Sequence, residues 1–140
     1  MRFFLFAGVT LALCFSASAA PATRKPATQF KAWFQVDDEL HRRYPGKATY
    51  TQRATAVLAL LQASGSRQTA HAVEGWATQT LSTEARLPRT PGASLGNTCL
   101  KWIRTAALIK QGKSKASYAS AQKSALTAAK RADALNKPRS

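Results

Sequence analysis

The chain has 140 residues and a mass of 15.1 kDa, with 21 Lys and Arg against 6 Asp and Glu, a formal net charge of +15. This length admits one small domain with a tail and excludes a large multidomain enzyme or a two-lobed cofactor fold. A hydrophobic content of 45% excludes wholesale disorder, and a count of 2 Cys excludes a multi-disulfide scaffold.

Residues 1–19 read as a cleaved signal peptide. Met1-Arg2 is a short positive start, and Phe3 to Phe15 is an apolar run broken only by Gly8 and Thr10. The run is shorter than the roughly 20 residues that a membrane-spanning helix needs. Ala17-Ser18-Ala19 fits the A-x-A cleavage pattern, whereas a cut after Ala20 would place Pro21 at the scissile bond. The expected location is therefore exported, periplasmic or secreted. Cleavage removes Arg2 and Cys14, so twenty basic and six acidic side chains leave +14. Cys99 then has no partner within the chain for a disulfide.

Residues 20–27, with Pro21 and Pro26, read as a flexible leader. Beyond them no stretch alternates with period two, so the expected fold is all-α, a small bundle of about five helices. Thr28 caps a first helix that runs to about Tyr44 and stops at Pro45-Gly46. A second covers about Gln52 to Ser64, with Thr49 and Gln52 at capping-box spacing and Gly65 at its end. Ser66 caps a third, from Arg67 to about Ala85, in which Gly75 is a weak point. Arg86 to Gly96, with Pro88, Pro91 and two glycines, reads as a long exposed loop. Asn97 caps a fourth helix to Gln111, and Gly112 terminates it. Ser114 opens a fifth, from about Lys115 to Asn136. Residues 28–112 form the expected core domain, and 113–140 a basic Ala/Ser/Lys-rich helix and tail.

Helical periodicity assigns the core. Val57, Leu60 and Leu61 gather on the second helix with Leu58 at the edge, and Cys99, Trp102, Ile103, Ala106 and Ile109 gather on the fourth. Trp102 is expected inward, with Lys101 and Arg104 turned away. Cys99 is expected to be a buried, inert thiol. On the fifth helix Tyr118, Ala121, Ala125, Ala128, Ala129, Ala132 and Leu135 share a face. An alanine methyl is worth about 0.8 kcal/mol of burial against roughly 1.5–3 for leucine. Such a face docks loosely, or else very closely against a bulky neighbour.

The first helix carries the candidate catalytic pair. Phe30, Trp33, Phe34, Leu40 and Tyr44 fall on one face, with Asp37 and His41 in its middle and Asp38, Glu39, Arg42 and Arg43 outside it. Asp37 and His41 are four apart and so are neighbours on the helix. A carboxylate that fixes an imidazole tautomer prepares a general base. The plainer reading is a structural hydrogen bond at the rim of the core, to Tyr50 or an Arg. His71 and Glu74 have a spacing used in metal-binding bundles, but His71 lies off its helix's apolar centre, so no metal site is expected. No phosphate loop, zinc spacing or nucleophile motif is visible, and no cofactor is expected. Asp37, Glu74 and Glu84 are the inward-looking acids, and nothing in the sequence pairs them as a glycosidase requires.

The positive charge concentrates late in the chain. Residues 101–140 hold ten basic side chains against Asp133 alone, a local +9. Lys123, Lys130 and Lys137 repeat every seven residues opposite the alanine face. Lys113, Lys115, Lys123, Lys130, Arg131 and Lys137 are therefore the candidate anion-binding residues. The leading expectation is an exported binding protein for an anionic polymer, a lipid headgroup or an acidic protein. Export and the lack of a recognisable module argue against sequence-specific nucleic acid. Membrane insertion through the fifth helix is disfavoured, because its apolar face lacks Trp, Phe and multiple Leu. The alternatives are a small exported hydrolase using Asp37 and His41, and a periplasmic accessory or inhibitor of the immunity type.

Overall fold

The computed structural model describes residues 30–137. The expected signal peptide, the expected leader, the expected Thr28 cap and the last three residues lie outside the described residues. The described chain is all-helical: α1 Trp33–Arg43, α2 Tyr50–Ser64, α3 Arg67–Glu84, α4 Pro91–Lys110 and α5 Tyr118–Asn136. No described helix is long and apolar enough to cross a membrane.

Local chemistry explains the helix starts. Thr49 accepts from the Gln52 amide at 3.1 Å, and Gln52 returns a bond to the Thr49 amide at 3.0 Å, the expected reciprocal cap on α2. Gly65 ends α2 at φ 60°, in the left-handed region that favours glycine. Ser66 caps α3 through the Gln68 and Thr69 amides. Ser117, rather than Ser114, caps α5.

Two further starts differ from expectation. The first helix begins at Trp33, because Phe30 enters extended, with its amide bonded to Thr69 Oγ1 at 3.0 Å and its ring buried. Gln35 then stands in for a cap by accepting from the Lys31 and Ala32 amides. The fourth helix begins at Pro91, six residues before Asn97. Thr90 caps it through Ala93, and Pro91 takes the first helical turn, where its missing N–H costs nothing. The expected loop of 86–96 thus shrinks to a short connection. Gly92 and Gly96 sit inside α4, where a Cβ would collide with the Asn136 side chain and the Tyr50 ring respectively.

Gly92 marks a close approach of α4 to α5, and Gly96 one of α4 to Tyr50 of α2. Ala121, Ala125, Ala128, Ala129 and Ala132 are all buried along α5. The loosely attached segment is replaced by the close-docking alternative. Val57, Leu58, Leu61, Val73, Trp76, Leu100 and Ile103 form the remaining centre, and Cys99 is buried among them as expected. Burial pushes the Cys99 thiol up to about 12, offset in part by Arg53 and reinforced by Asp133 and Glu84. It is therefore protonated at neutral pH.

The buried arcs of α1 and α4 are turned relative to the expected ones. On α1, Val36, Glu39 and Leu40 are buried, while Trp33 and Phe34 are exposed. The shift is about 100°, one residue step. Glu39 is tolerated inward because Arg42 and Arg43 both bond its carboxylate, at 2.6 and 2.9 Å. Those bonds, Arg42's first, hold Glu39 below the ordinary glutamate value despite burial. On α4, Leu100, Ile103 and Ala107 take the centre, and Trp102 is 37% exposed rather than inward. An indole is too bulky for the narrow seam between α4 and the alanines of α5.

Asp133 ties α5 to α2. It accepts from the Tyr50 and Thr51 amides at 2.9 and 2.8 Å, filling orphan donors at the start of α2. Burial pushes its carboxyl up, but bonds from Thr51, Tyr50 and Thr49 outweigh it and leave it below its ordinary value of 3.8. A depressed carboxylate contributes stability above its unfolded value and loses it as pH falls through the folded one. Asp133→Asn should therefore cost about 0.5–2 kcal/mol at pH 7 in urea unfolding. That difference from the parent should shrink below about pH 4. Deleting residues 113–140 should abolish cooperative unfolding of the remainder, checked by circular dichroism, because α5 completes the core.

Candidate functional site

A cleft of about 290 Å³ opens where the α1–α2 connection meets the end of α3. Asp37 and His41 of α1, Tyr44 and Lys47 just after it, Arg53 of α2 and Glu84 of α3 line it. Asp37 and His41 do line a cavity, but from its rim. Their side chains are 42% and 68% exposed, so the expectation that they sit mid-face in the core is corrected. The rotation of α1 that buries Val36 and Leu40 carries the pair outward.

The pair's geometry fixes its chemistry. His41 Nδ1 lies 2.9 Å from the Asp37 carbonyl oxygen and 3.4 Å from its carboxylate. A carbonyl only accepts, so Nδ1 carries the proton, and Nε2 of the neutral ring is left as an acceptor. Asp37 also accepts from Trp76 Nε1 at 3.3 Å. Trp76 is fully buried and needs a partner for its N–H. The structural bond foreseen for Asp37 thus exists, with Trp76 as its donor in place of Tyr50 or an Arg.

The floor of the cleft is an ion-pair network that sequence reading missed. Arg53 places two guanidinium nitrogens 3.3 Å from Glu84 Oε2. Tyr50 donates its hydroxyl to Glu84 Oε1. The Arg53 guanidinium lies 4.7 Å over the Tyr50 ring. Burial, then the bond to Glu84, pushes the Tyr50 phenol well above its ordinary value, so it stays a donor. Arg53 Nε is buried without a hydrogen-bond partner. The bonds span 31 and 34 residues of sequence, and no local spacing announces them.

Asp37 and Glu84, which nothing in the sequence paired, share this cleft. Glu74 goes elsewhere, accepting from Gln111 at 2.9 Å, with His71 3.8 Å away and largely exposed. Among the described residues, no three of His, Cys, Asp and Glu gather to hold a metal ion. None of the residues lining the cleft is a Ser, Thr or Cys, so the cleft supplies no hydroxyl of Ser or Thr and no thiol as nucleophile.

The six candidate anion-binding residues, Lys113, Lys115, Lys123, Lys130, Arg131 and Lys137, are all exposed. Among the described residues no ion pair joins any of them to an acid. They do not form a pocket: they spread along α5 and the turn before it. No protein-family model matches the chain, and no curated protein or solved structure matches it.

The roles of Asp37 and His41 separate by stability. Asp37→Ala should destabilise the fold by about 1–3 kcal/mol, since the buried Trp76 N–H loses its partner. His41→Ala should stay within about 0.5 kcal/mol of the parent, as expected of an exposed side chain. Urea unfolding of both variants checks this.

Proposed function

We propose that the protein is an exported, cationic binding protein whose basic surface engages an anionic partner, and that it is not an enzyme. One observation carries this reading. Of the six acidic residues, Asp37, Glu39, Glu74, Glu84 and Asp133 are each bonded to groups of the chain itself, and only Asp38 makes no such bond among the described residues. The bonded acids are occupied in holding the fold together, whereas the cations of α5 face solvent and pair with no acid among the described residues. A surface of one sign raises the local concentration of opposite charge and steers its approach.

Lys123 and Lys130 on α5, with Lys137 just past its end, form a stripe. At 1.5 Å per residue the stripe is roughly 21 Å long. Its length suits an extended polyanion better than a small ion, because successive charges of one chain can be met at once.

Binding of long-chain polyphosphate, followed by fluorescence anisotropy across a salt series, tests the reading. The logarithm of affinity should fall linearly with the logarithm of salt. Replacing Lys123, Lys130 and Lys137 by Gln should reduce that slope by about 2–3 while the fold is unchanged. Affinity indifferent to salt, or a slope untouched by the triple substitution, sinks the reading.

A second reading, hydrolysis at the Asp37–His41 cleft, draws on one fact: both side chains and Glu84 line the same cavity. It is weaker because Asp37 is already engaged by Trp76 and His41 offers Nε2 to solvent rather than to a positioned nucleophile.

A further inference from the structure

We infer that the exposed edge of α4 centred on Trp102 docks onto an anionic lipid bilayer; this rests on the proposed cationic-binding function and names the partner. Leu95, Trp102 and Ile109 recur every seven residues, with Thr98 and Thr105 between them, so the five lie along one edge of α4. Trp102 is 37% exposed, and Leu95 and Ile109 are half-buried. Thr98 and Thr105 donate their hydroxyls to the carbonyls of Ser94 and Lys101, at 3.1 and 3.0 Å. Those hydroxyls are spent within the helix, and the edge offers solvent little besides carbon.

The partner helix extends this surface. Gly92 lies against Asn136, and Lys110 sits 4.3 Å over the Tyr118 ring. These two anchors set α4 and α5 antiparallel, with Trp102 level with the Ser124–Ala128 turn. Ser124, Ala125 and Ala128 there are small, and Leu126 packs against the core, so the indole stands as the largest group of the seam. Toward the other end α5 contributes Leu135, 56% exposed. Lys101 and Arg131 are exposed on either side. From Ala85 to Lys137 the chain has one acid, Asp133, and it is turned away to cap α2.

Charge and chemistry select the occupant. A second copy of the chain brings the same excess of positive charge and is repelled. Nucleic acid bases and sugars are read through hydrogen bonds, and the edge has few groups to give. An anionic bilayer asks for a different set: a Trp at the headgroup boundary, aliphatic side chains just beneath, and Lys or Arg reaching the phosphates. That set is present here, on α4 rather than on the alanine face of α5.

The test uses the Trp33→Phe variant of the full chain, in which Trp76 is buried and Trp102 is the remaining accessible indole. Vesicles of phosphatidylcholine with about 30 mol% phosphatidylglycerol should shift its emission to the blue, and pure phosphatidylcholine vesicles should not. In the parent chain, Trp102→Ala should weaken sedimentation with the anionic vesicles by about tenfold or more. Leu135→Glu, at a more exposed position, should weaken it as well, and Trp33→Ala should not. Vesicle binding without a spectral shift, or undiminished in both Trp102→Ala and Leu135→Glu, overturns the inference. Binding to polyphosphate but not to these vesicles overturns it too, while leaving the cationic-binding reading intact. Failure to bind either probe overturns both.

Discussion

The close packing of α4 against α5 is the constraint on which the other features rest. It needs small residues on both sides: glycine at 92, where a Cβ would meet Asn136 of α5, and alanines at 121, 125, 128, 129 and 132. Individually these side chains bury little area. Together they bring two helices close enough for backbone and Cβ atoms to pack densely, where dispersion over many contacts replaces the bulk of leucine. The same closeness sets which larger groups stay out. Trp102 is held at the rim, and Tyr50 lies over Gly96, from where its hydroxyl reaches Glu84.

The rotational setting of α5 also determines the electrostatics. With the alanine face turned inward, Asp133 comes to the start of α2, and the lysines face outward. One rotation of one helix therefore satisfies two backbone donors and removes the only acid from the most basic stretch of the chain. Turning α5 by half a turn would expose alanines, strand Asp133 away from the amides it caps and press lysines into the core. Fold stability and surface charge are coupled here through a single helical phase.

Much of the architecture was legible because its signals are local. Reciprocal Thr49–Gln52 capping, Gly65 and the Ser66 cap depend on residues two to four apart, and the alanine periodicity of α5 repeats along one helix. What failed depends on partners distant in sequence. Pro91 and two glycines read as a loop because nothing local says that Asn136 and Tyr50 will pack against those glycines. Gly75 looked like a weak point, yet it accommodates Trp33, whose Cβ would lie 3.2 Å from an added methyl. The Glu84–Arg53–Tyr50 network was invisible for the same reason: each member is an ordinary helical residue until α2 and α3 meet.

The errors on α1 and α4 have one cause. In both helices the aromatics were weighted as core, and in both the burial centre belongs to smaller aliphatics: Val36 and Leu40, and Leu100 and Ile103. Aromatic area stabilises burial only if the opposing helix leaves room for it. Facing the alanine seam of α5, there is no such room for Trp102. Phe30 lies buried before the helix begins, so the first turn of α1 need not bury Trp33 and Phe34 as well. Apolar residues turned outward in this way differ from scattered surface leucines. They sit on a chain with +15 formal charge, and the cations beside Trp102 pair with no acid among the described residues. Exposed aromatic area has a physical cost in water, and an anionic, partly apolar phase relieves that cost while it attracts the cations beside it.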